Sequence, residues 1–193
     1  MQIRESREKL LDAAFMEVYK NGYHGASTAS ILKNAGVPKG SMYHFFNSKK
    51  DLVLTAVEER IFPKMDVFFD FTVNEDKNIF QTIECIFERM SGHPFLIKNG
   101  CPLHRLIVEM APLDNDFEDK LNKKFNNFVQ NLSNLFEIFI DKNELKKFDT
   151  YTMARFFITS TWGEISLPPS ISSKKSFLQQ VKYLITLLKS YES

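Results

Sequence analysis

Six large apolar residues, Leu121, Phe125, Phe128, Leu132, Leu135 and Phe139, follow one another at alternating steps of four and three. Only an α-helix brings residues at that spacing onto one face, and so long a stripe needs other helices to cover it. The pattern recurs twice. Ile79, Ile83, Ile86 and Met90, with Phe87 beside them, make a second stripe; Phe177, Val181, Leu184, Leu188 and Tyr191 make a third. Breakers are few, with 7 Gly and 7 Pro in 193 residues, and no segment reads convincingly as a strand. The expected fold class is all-α, with eight to ten helices.

Caps and breakers divide the chain. A first helix is expected over about Ile3 to Lys20, stopped by Asn21-Gly22, where either residue tolerates the left-handed cap conformation. Ser27 or Thr28 caps a second, running to Asn34, and a third covers Lys39 to Phe45. Ser48, with Asp51 three residues on, opens a fourth, which should end near Pro63. A polar gap, Asn74-Glu75-Asp76-Lys77, precedes the second stripe. Pro102 suits the first position of a short helix to Met110, Asp114 or Asn115 caps the long one, and Asp149 caps the next. That helix carries Phe156, Phe157, Ile158, Trp162 and Ile165, and Ser172 or Ser173 starts the last. Residues 1–47 thus form a three-helix N-terminal domain and residues 48–193 a helical bundle.

Composition excludes several classes. At 44% hydrophobic and 25% charged the chain is that of a globular protein, not a disordered one. No apolar run approaches the roughly 20 residues of a membrane span. The opening residues are charged and hold no apolar signal segment, so a cytoplasmic location is expected. The two cysteines, Cys85 and Cys101, are too few for a disulfide framework, which fits a reducing compartment. Cys85 is expected to be buried on the second stripe, without a basic neighbour. There is no GxSxG, HExxH, phosphate-binding glycine loop or metal-spaced Cys/His set. Neither an enzyme, nor a cofactor, nor a metal site is expected.

The net charge of +1 hides an asymmetry. Residues 1–50 hold eight Lys/Arg against four Asp/Glu, whereas the remainder holds 17 against 20. A basic front on an acidic body suits contact with a polyanion. Two short helices joined at Ala35-Gly36-Val37 have helix-turn-helix spacing, because Gly36 tolerates positive φ and Val37 can plug the gap between the helices. The third helix then buries Met42 and one of Phe45 and Phe46. Its outward side carries Lys39, Ser41, Tyr43 and His44, donors able to reach phosphates and base edges. Gly40 lets backbone approach a duplex. Thr28 and Lys49, each at a helix start, are candidate phosphate contacts.

These residues carry a resemblance. Ala13-Ala14-Phe15, Asn21-Gly22-Tyr23, Ser27-Thr28-Ala29-Ser30-Ile31, Ala35-Gly36-Val37-Pro38-Lys39-Gly40-Ser41-Met42-Tyr43-His44-Phe45-Phe46 and Ser48-Lys49-Lys50-Asp51-Leu52 keep their order and spacing over about fifty residues. Residues 9–57 resemble the N-terminal domain of TetR (tetracycline-repressor-like) transcription regulators. The resemblance implies phosphate contacts for Thr28, Tyr43 and Lys49. It places Lys39, Gly40, Ser41 and His44 at or near the bases. Many members have His where this chain has Phe45, which leaves His44 as the nearest imidazole.

The resemblance also implies a homodimer paired through the last two helices, a palindromic double-stranded DNA operator, and a small-molecule effector bound in the C-terminal bundle. The seam at 177–191 suits such pairing. Phe87, Met90, His104, Phe125, Phe128 and Trp162 are the candidate lining residues, and an aromatic wall favours an aromatic or lipophilic effector. The expected function is that of a dimeric, ligand-responsive repressor. The second reading is a helical ligand-binding or carrier protein that does not bind DNA.

Overall fold

The computed structural model describes residues 2–72 and 76–193; Asn74 and Glu75 of the polar gap lie outside the described residues. The described residues form eleven α-helices and no strand, as the stripes predict. In order they are α1 (Gln2–Gly25), α2 (Thr28–Ala35), α3 (Lys39–Phe45), α4 (Lys49–Ala56), α5 (Phe62–Phe68), α6 (Ile79–Ser91), α7 (Pro94–Asn99), α8 (Pro102–Met110), α9 (Asn115–Asp141), α10 (Thr150–Ser166) and α11 (Lys174–Lys189). The expected caps form at Ser48, Asp149 and Ser173, each accepting a hydrogen bond from the third residue after it. Asp114 Oδ1 accepts from the N–H of Asp116 and of Phe117. Asn78 and Gln81 add a reciprocal capping box at α6 that the sequence reading passed over.

Two elements differ from expectation. Helix α4 does not end near Pro63. A π-helical turn, Val57–Ile61, follows it, with the Phe62 N–H donating to the Val57 carbonyl, and α5 continues from there. Proline lacks an N–H and crowds the carbonyl four residues back, and the wider π turn accommodates both effects. The second is α7, a short helix opened by Pro94 at its first position, in a stretch read only as an interruption.

The chain packs as two compact units, Met1–Val67 with Pro102–Asn122, and Phe68–Cys101 with Lys123–Ser193. In the first, α1 packs on α2, α4 and α8. Its core holds Leu10, Leu11, Ala14, Ile31, Leu32, Met42, Phe46, Leu52 and Ala56, with Val37 and Phe45 packed against it. In the second, α11 packs on α6 and α10, and α7 on α6 and α10. Phe136 of α9 meets Phe157 of α10 edge-on at 5.6 Å, and Ser133 donates to Thr150 at 2.9 Å.

Several side chains of the second unit are not where periodicity put them. Phe177, Val181, Leu184 and Leu188 are buried within their own chain. Tyr191 lies beyond α11 with its ring 4.7 Å from that of Phe148. The seam at 177–191 therefore serves the subunit's own core, because α6 lies against it and sets the Phe87 ring 6.3 Å from Phe177. Phe156, expected inside, is exposed. Cys85 is exposed and accepts a hydrogen bond from Lys77 Nζ at 3.3 Å, while Cys101 is buried. The buried positions of α6, which are 79, 82, 83, 86, 87, 90 and 91, leave 85 on the opposite side.

Candidate nucleic-acid interface

Local chemistry builds the α2–α3 corner. The Ser27 hydroxyl accepts from the Ser30 N–H at 3.0 Å and starts α2. Gly36 ends it at φ 65°, ψ 32°, where an L side chain is strained. The N–H groups of Gly36 and Val37 then donate back to the Lys33 and Leu32 carbonyls, each at 3.3 Å, closing the turn. Pro38, at φ −62°, precedes α3.

Helix α3 has one buried side, formed by Met42, with Phe46 just beyond its end, and Phe45 is half-buried beside them. Lys39, Gly40, Tyr43 and His44 are exposed and Ser41 is half-buried. Tyr43 keeps 54% of its surface in solvent, a large aromatic left outside although it flanks a core residue. A Cβ built on Gly40 would meet nothing within 4 Å, so the fold itself does not require glycine there. The His44 imidazole stands edge-on to the Phe45 ring at 4.9 Å. Thr28 is half-buried at the first position of α2. All six lie on α2 and α3 of the first unit.

Lys49 is less free than expected. Its Nζ donates to the Tyr23 carbonyl at 2.6 Å and lies 4.3 Å above the Tyr23 ring. Burial pushes this ammonium below the ordinary lysine range, and the charge of Glu109 pulls it back. Lys50 is bound between Asp114 and Asp116, at 2.6 and 2.7 Å. Arg7 pairs with Glu59, and Lys9 with Glu5. Of the eight basic residues in positions 1–50, Arg7, Lys9 and Lys50 are thus paired with acids. Among the described residues no salt bridge joins exposed Lys39.

The sequence reading missed Glu109, Asp114 and Asp116 as neighbours of this surface. No one-dimensional spacing links residue 109 to residue 23. Glu109 is signalled only as a half-buried acid on a helix whose inward positions are 102, 103, 106 and 110.

The candidate pocket residues are only partly gathered. Phe69 stacks on Phe128 at 4.4 Å and stands edge-on to Trp162 at 6.1 Å, and Phe125 lies 5.2 Å from Trp162. Phe87 instead pairs with Phe177, and Met90 is buried on α6. His104 lies on α8 in the first unit, where burial lowers its pKa from the ordinary histidine value. Phe87, Met90, Phe128 and Trp162 are all close-packed, whereas Phe125 is half-buried. Among the described residues no group of three His, Cys, Asp or Glu is gathered to hold a metal ion, and no helix is long and apolar enough to cross a membrane.

A tight helical corner with a cationic, hydroxyl-bearing outer face, set in an all-helical chain, defines a helix-turn-helix DNA-binding regulator. Residues 10–56 match the family model described as bacterial regulatory proteins, tetR family. Over 149 residues the chain is 28% identical to an uncharacterized HTH-type transcriptional regulator in the lacX 3' region of Lactococcus lactis subsp. lactis, covering 73% of this chain and 75% of that one. It is 22% identical over 192 residues to the biofilm operon icaADBC HTH-type negative transcriptional regulator IcaR of Staphylococcus aureus (strain Newman), covering 94% and 97%. A TetR transcriptional regulator of Chloroflexus aurantiacus J-10-FL shares the fold with TM-score 0.85 at 20% identity, covering 99% of this chain and 98% of that one. Residues 10–56 thus carry a TetR-type DNA-binding segment, and the chain as a whole is similar in sequence and fold to TetR-type transcription regulators.

Proposed function

We propose that the protein is a homodimeric transcriptional repressor that inserts α3 of each subunit into successive major grooves of a palindromic operator and leaves it when a small effector binds. The observation that carries this reading is α3 itself, which buries Met42 and turns Lys39, Gly40, Tyr43 and His44 outward. One short helix reads few base pairs, and two copies about 34–36 Å apart read two half-sites. In role, residues 1–47 carry the DNA contacts and residues 48–193 the effector and dimer functions, in a cytoplasmic protein. Negative regulation of a biofilm operon is the activity of the staphylococcal relative. Thr28, Tyr43 and Lys49 contact phosphates; Lys39, Gly40, Ser41 and His44 lie at the bases.

The dimer face lies on α10 and α11. Tyr183 and Leu187, one helical turn apart, keep 71% and 41% of their surface in solvent, and Phe156 on α10 keeps 48%. Gly163 is exposed on α10 with open space around it, so a partner helix could approach closely. The effector enters among Phe69, Phe125, Phe128 and Trp162, whose rings select an aromatic or lipophilic molecule. Because three of these four are fully buried, the effector acts by favouring a conformation in which they part, and it releases DNA only through that difference in affinity.

A labelled duplex from upstream of the protein's own gene, titrated at several salt concentrations, tests this reading. If the dimer neutralises about eight phosphates, log K should fall against log salt with a slope near −7. Tyr43→Ala should weaken all duplexes alike. His44→Ala should change the preference between matched and mismatched sequences, by about 1–3 kcal/mol at the base pair it reads. Equal losses on both would remove His44 from the readout. A chain that selects no duplex but binds apolar ligands would fit the carrier reading instead.

A further inference from the structure

We infer that Glu109 is a positioning residue for DNA binding: its carboxylate holds the two backbone N–H groups that follow Gly22 and, through the Tyr23 carbonyl, fixes the Lys49 ammonium at the start of α4. This rests on the DNA-contacting role proposed for Lys49. Glu109 Oε2 accepts from the Tyr23 N–H and Oε1 from the His24 N–H, each at 2.8 Å. The two oxygens of one carboxylate thus bridge consecutive backbone donors from 85 and 86 residues away. Tyr23, held in this way, turns its carbonyl to Lys49 Nζ at 2.6 Å and its ring beneath that ammonium. The other face of the arrangement is closed by Phe117, edge-on to Tyr23 at 5.3 Å.

The backbone is cut to fit the carboxylate. Gly22 sits at φ 75°, ψ 179°, outside the helical region, and a Cβ there would lie 2.4 Å from Glu109 Oε2. Any larger residue would displace the acid. Two N–H groups at a half-exposed helix end could be satisfied by water, so hydrogen bonding alone does not call for an acid. A negative charge beside a phosphate-binding lysine opposes DNA electrostatically. Its presence is intelligible if it fixes that lysine. An ammonium has three donors, so the one given to Tyr23 leaves others for a phosphate.

The test compares wild type, Glu109→Gln, Gly22→Ala, Lys49→Ala and the Glu109→Gln/Lys49→Ala double variant. Duplex binding is read by fluorescence anisotropy across salt concentrations, and thermal melting confirms that each variant is folded at the assay temperature. The amide of Gln accepts on one oxygen only, so one charge-assisted bond is lost and Lys49 is freed. Glu109→Gln should bind all duplexes roughly tenfold more weakly. Its salt slope should shrink by about 1, as for Lys49→Ala, because one phosphate contact is lost. The double variant should bind no more weakly than the weaker single one. Gly22→Ala, which displaces the acid but keeps its charge, should behave alike. The Tyr23 and His24 amide protons of DNA-free Glu109→Gln should move upfield as their charged acceptor disappears.

Binding by Glu109→Gln that equals or exceeds wild type would show a charge that merely repels DNA and would overturn the inference. Additive losses with an unchanged slope would do the same. Should Glu109→Gln not fold, Gly22→Ala decides by the same slope and the same cycle with Lys49→Ala. A wild-type chain that selects no duplex at any salt overturns the repressor reading itself, and this inference with it.

Discussion

Phe128→Ala should lower the unfolding free energy by about 3–5 kcal/mol. In a chain of this length each kcal/mol moves the melting temperature by roughly 2–4 °C, so the drop should be about 6–20 °C. Phe128 is 1% exposed and stacked on Phe69 with 20° between the ring planes, with Lys124 Nζ 5.3 Å above its own ring. Truncation removes the ring's transfer energy and leaves a hole that Phe69 and Trp162 cannot fill without giving up their own contact. Phe136→Ala is the reference, because Phe136 is fully buried between Phe148 and Phe157. Urea unfolding of both variants measures the costs. Similar losses mean that the Phe69–Phe128–Trp162 cluster is close-packed in the effector-free chain, as the proposed opening by an effector requires. A loss below about 2 kcal/mol for Phe128→Ala alone would mean that its ring already borders empty space, since a wall with no neighbour has fewer contacts to lose.

That experiment bears on what a sequence can disclose about such a site. Periodicity tells which face of a helix is buried; it does not tell what buries it. The stripe of α9 and that of α6 were readable because any all-helical packing must cover them. On α11 the same rule picked out Phe177, Val181, Leu184 and Leu188 as a buried face, but assigned them to a partner, whereas α6 of the same subunit covers them. The apolar face still open is the next one round, at Tyr183 and Leu187, and two residues spaced by four make too weak a pattern to stand out.

The α2–α3 corner was legible because it is local. Gly36 for the turn, Ser27 for the cap and Met42 for the inner side act within a few residues of one another. Lys49 was legible as a cation at a helix start but not as a held one. What holds it, Tyr23 and Glu109, arrives from other helices. The continuation of α4 past Pro63 was hidden for another reason. Proline normally stops a helix, and no rule of spacing announces that a π turn will absorb the missing bond.

Gly163→Leu should stabilise the isolated subunit and destroy the proposed dimer, two effects of opposite sign from one substitution. Within the subunit, a Cβ at 163 meets nothing within 4 Å and the position is exposed, so the new side chain starts into open space. Exchanging glycine for leucine inside a helix also gains up to about 1 kcal/mol in helical propensity. Between subunits the same side chain occupies the space in which a second α10 would lie. Helix axes that approach closely over glycine cannot do so over leucine, and Phe156, Tyr183 and Leu187 would no longer reach their counterparts. Sedimentation at micromolar protein should therefore report a monomer. The melting temperature should cease to depend on concentration, as it does when folding is uncoupled from association. Two linked reading heads bind a palindrome more tightly than one head by roughly a hundredfold to ten-thousandfold, and that factor should vanish. Binding to a single half-site should stay as it is, because residues 28–49 are untouched. A variant that remains dimeric would place the interface away from Gly163. One that loses half-site binding as well would mean that α10 supports the DNA-binding corner directly.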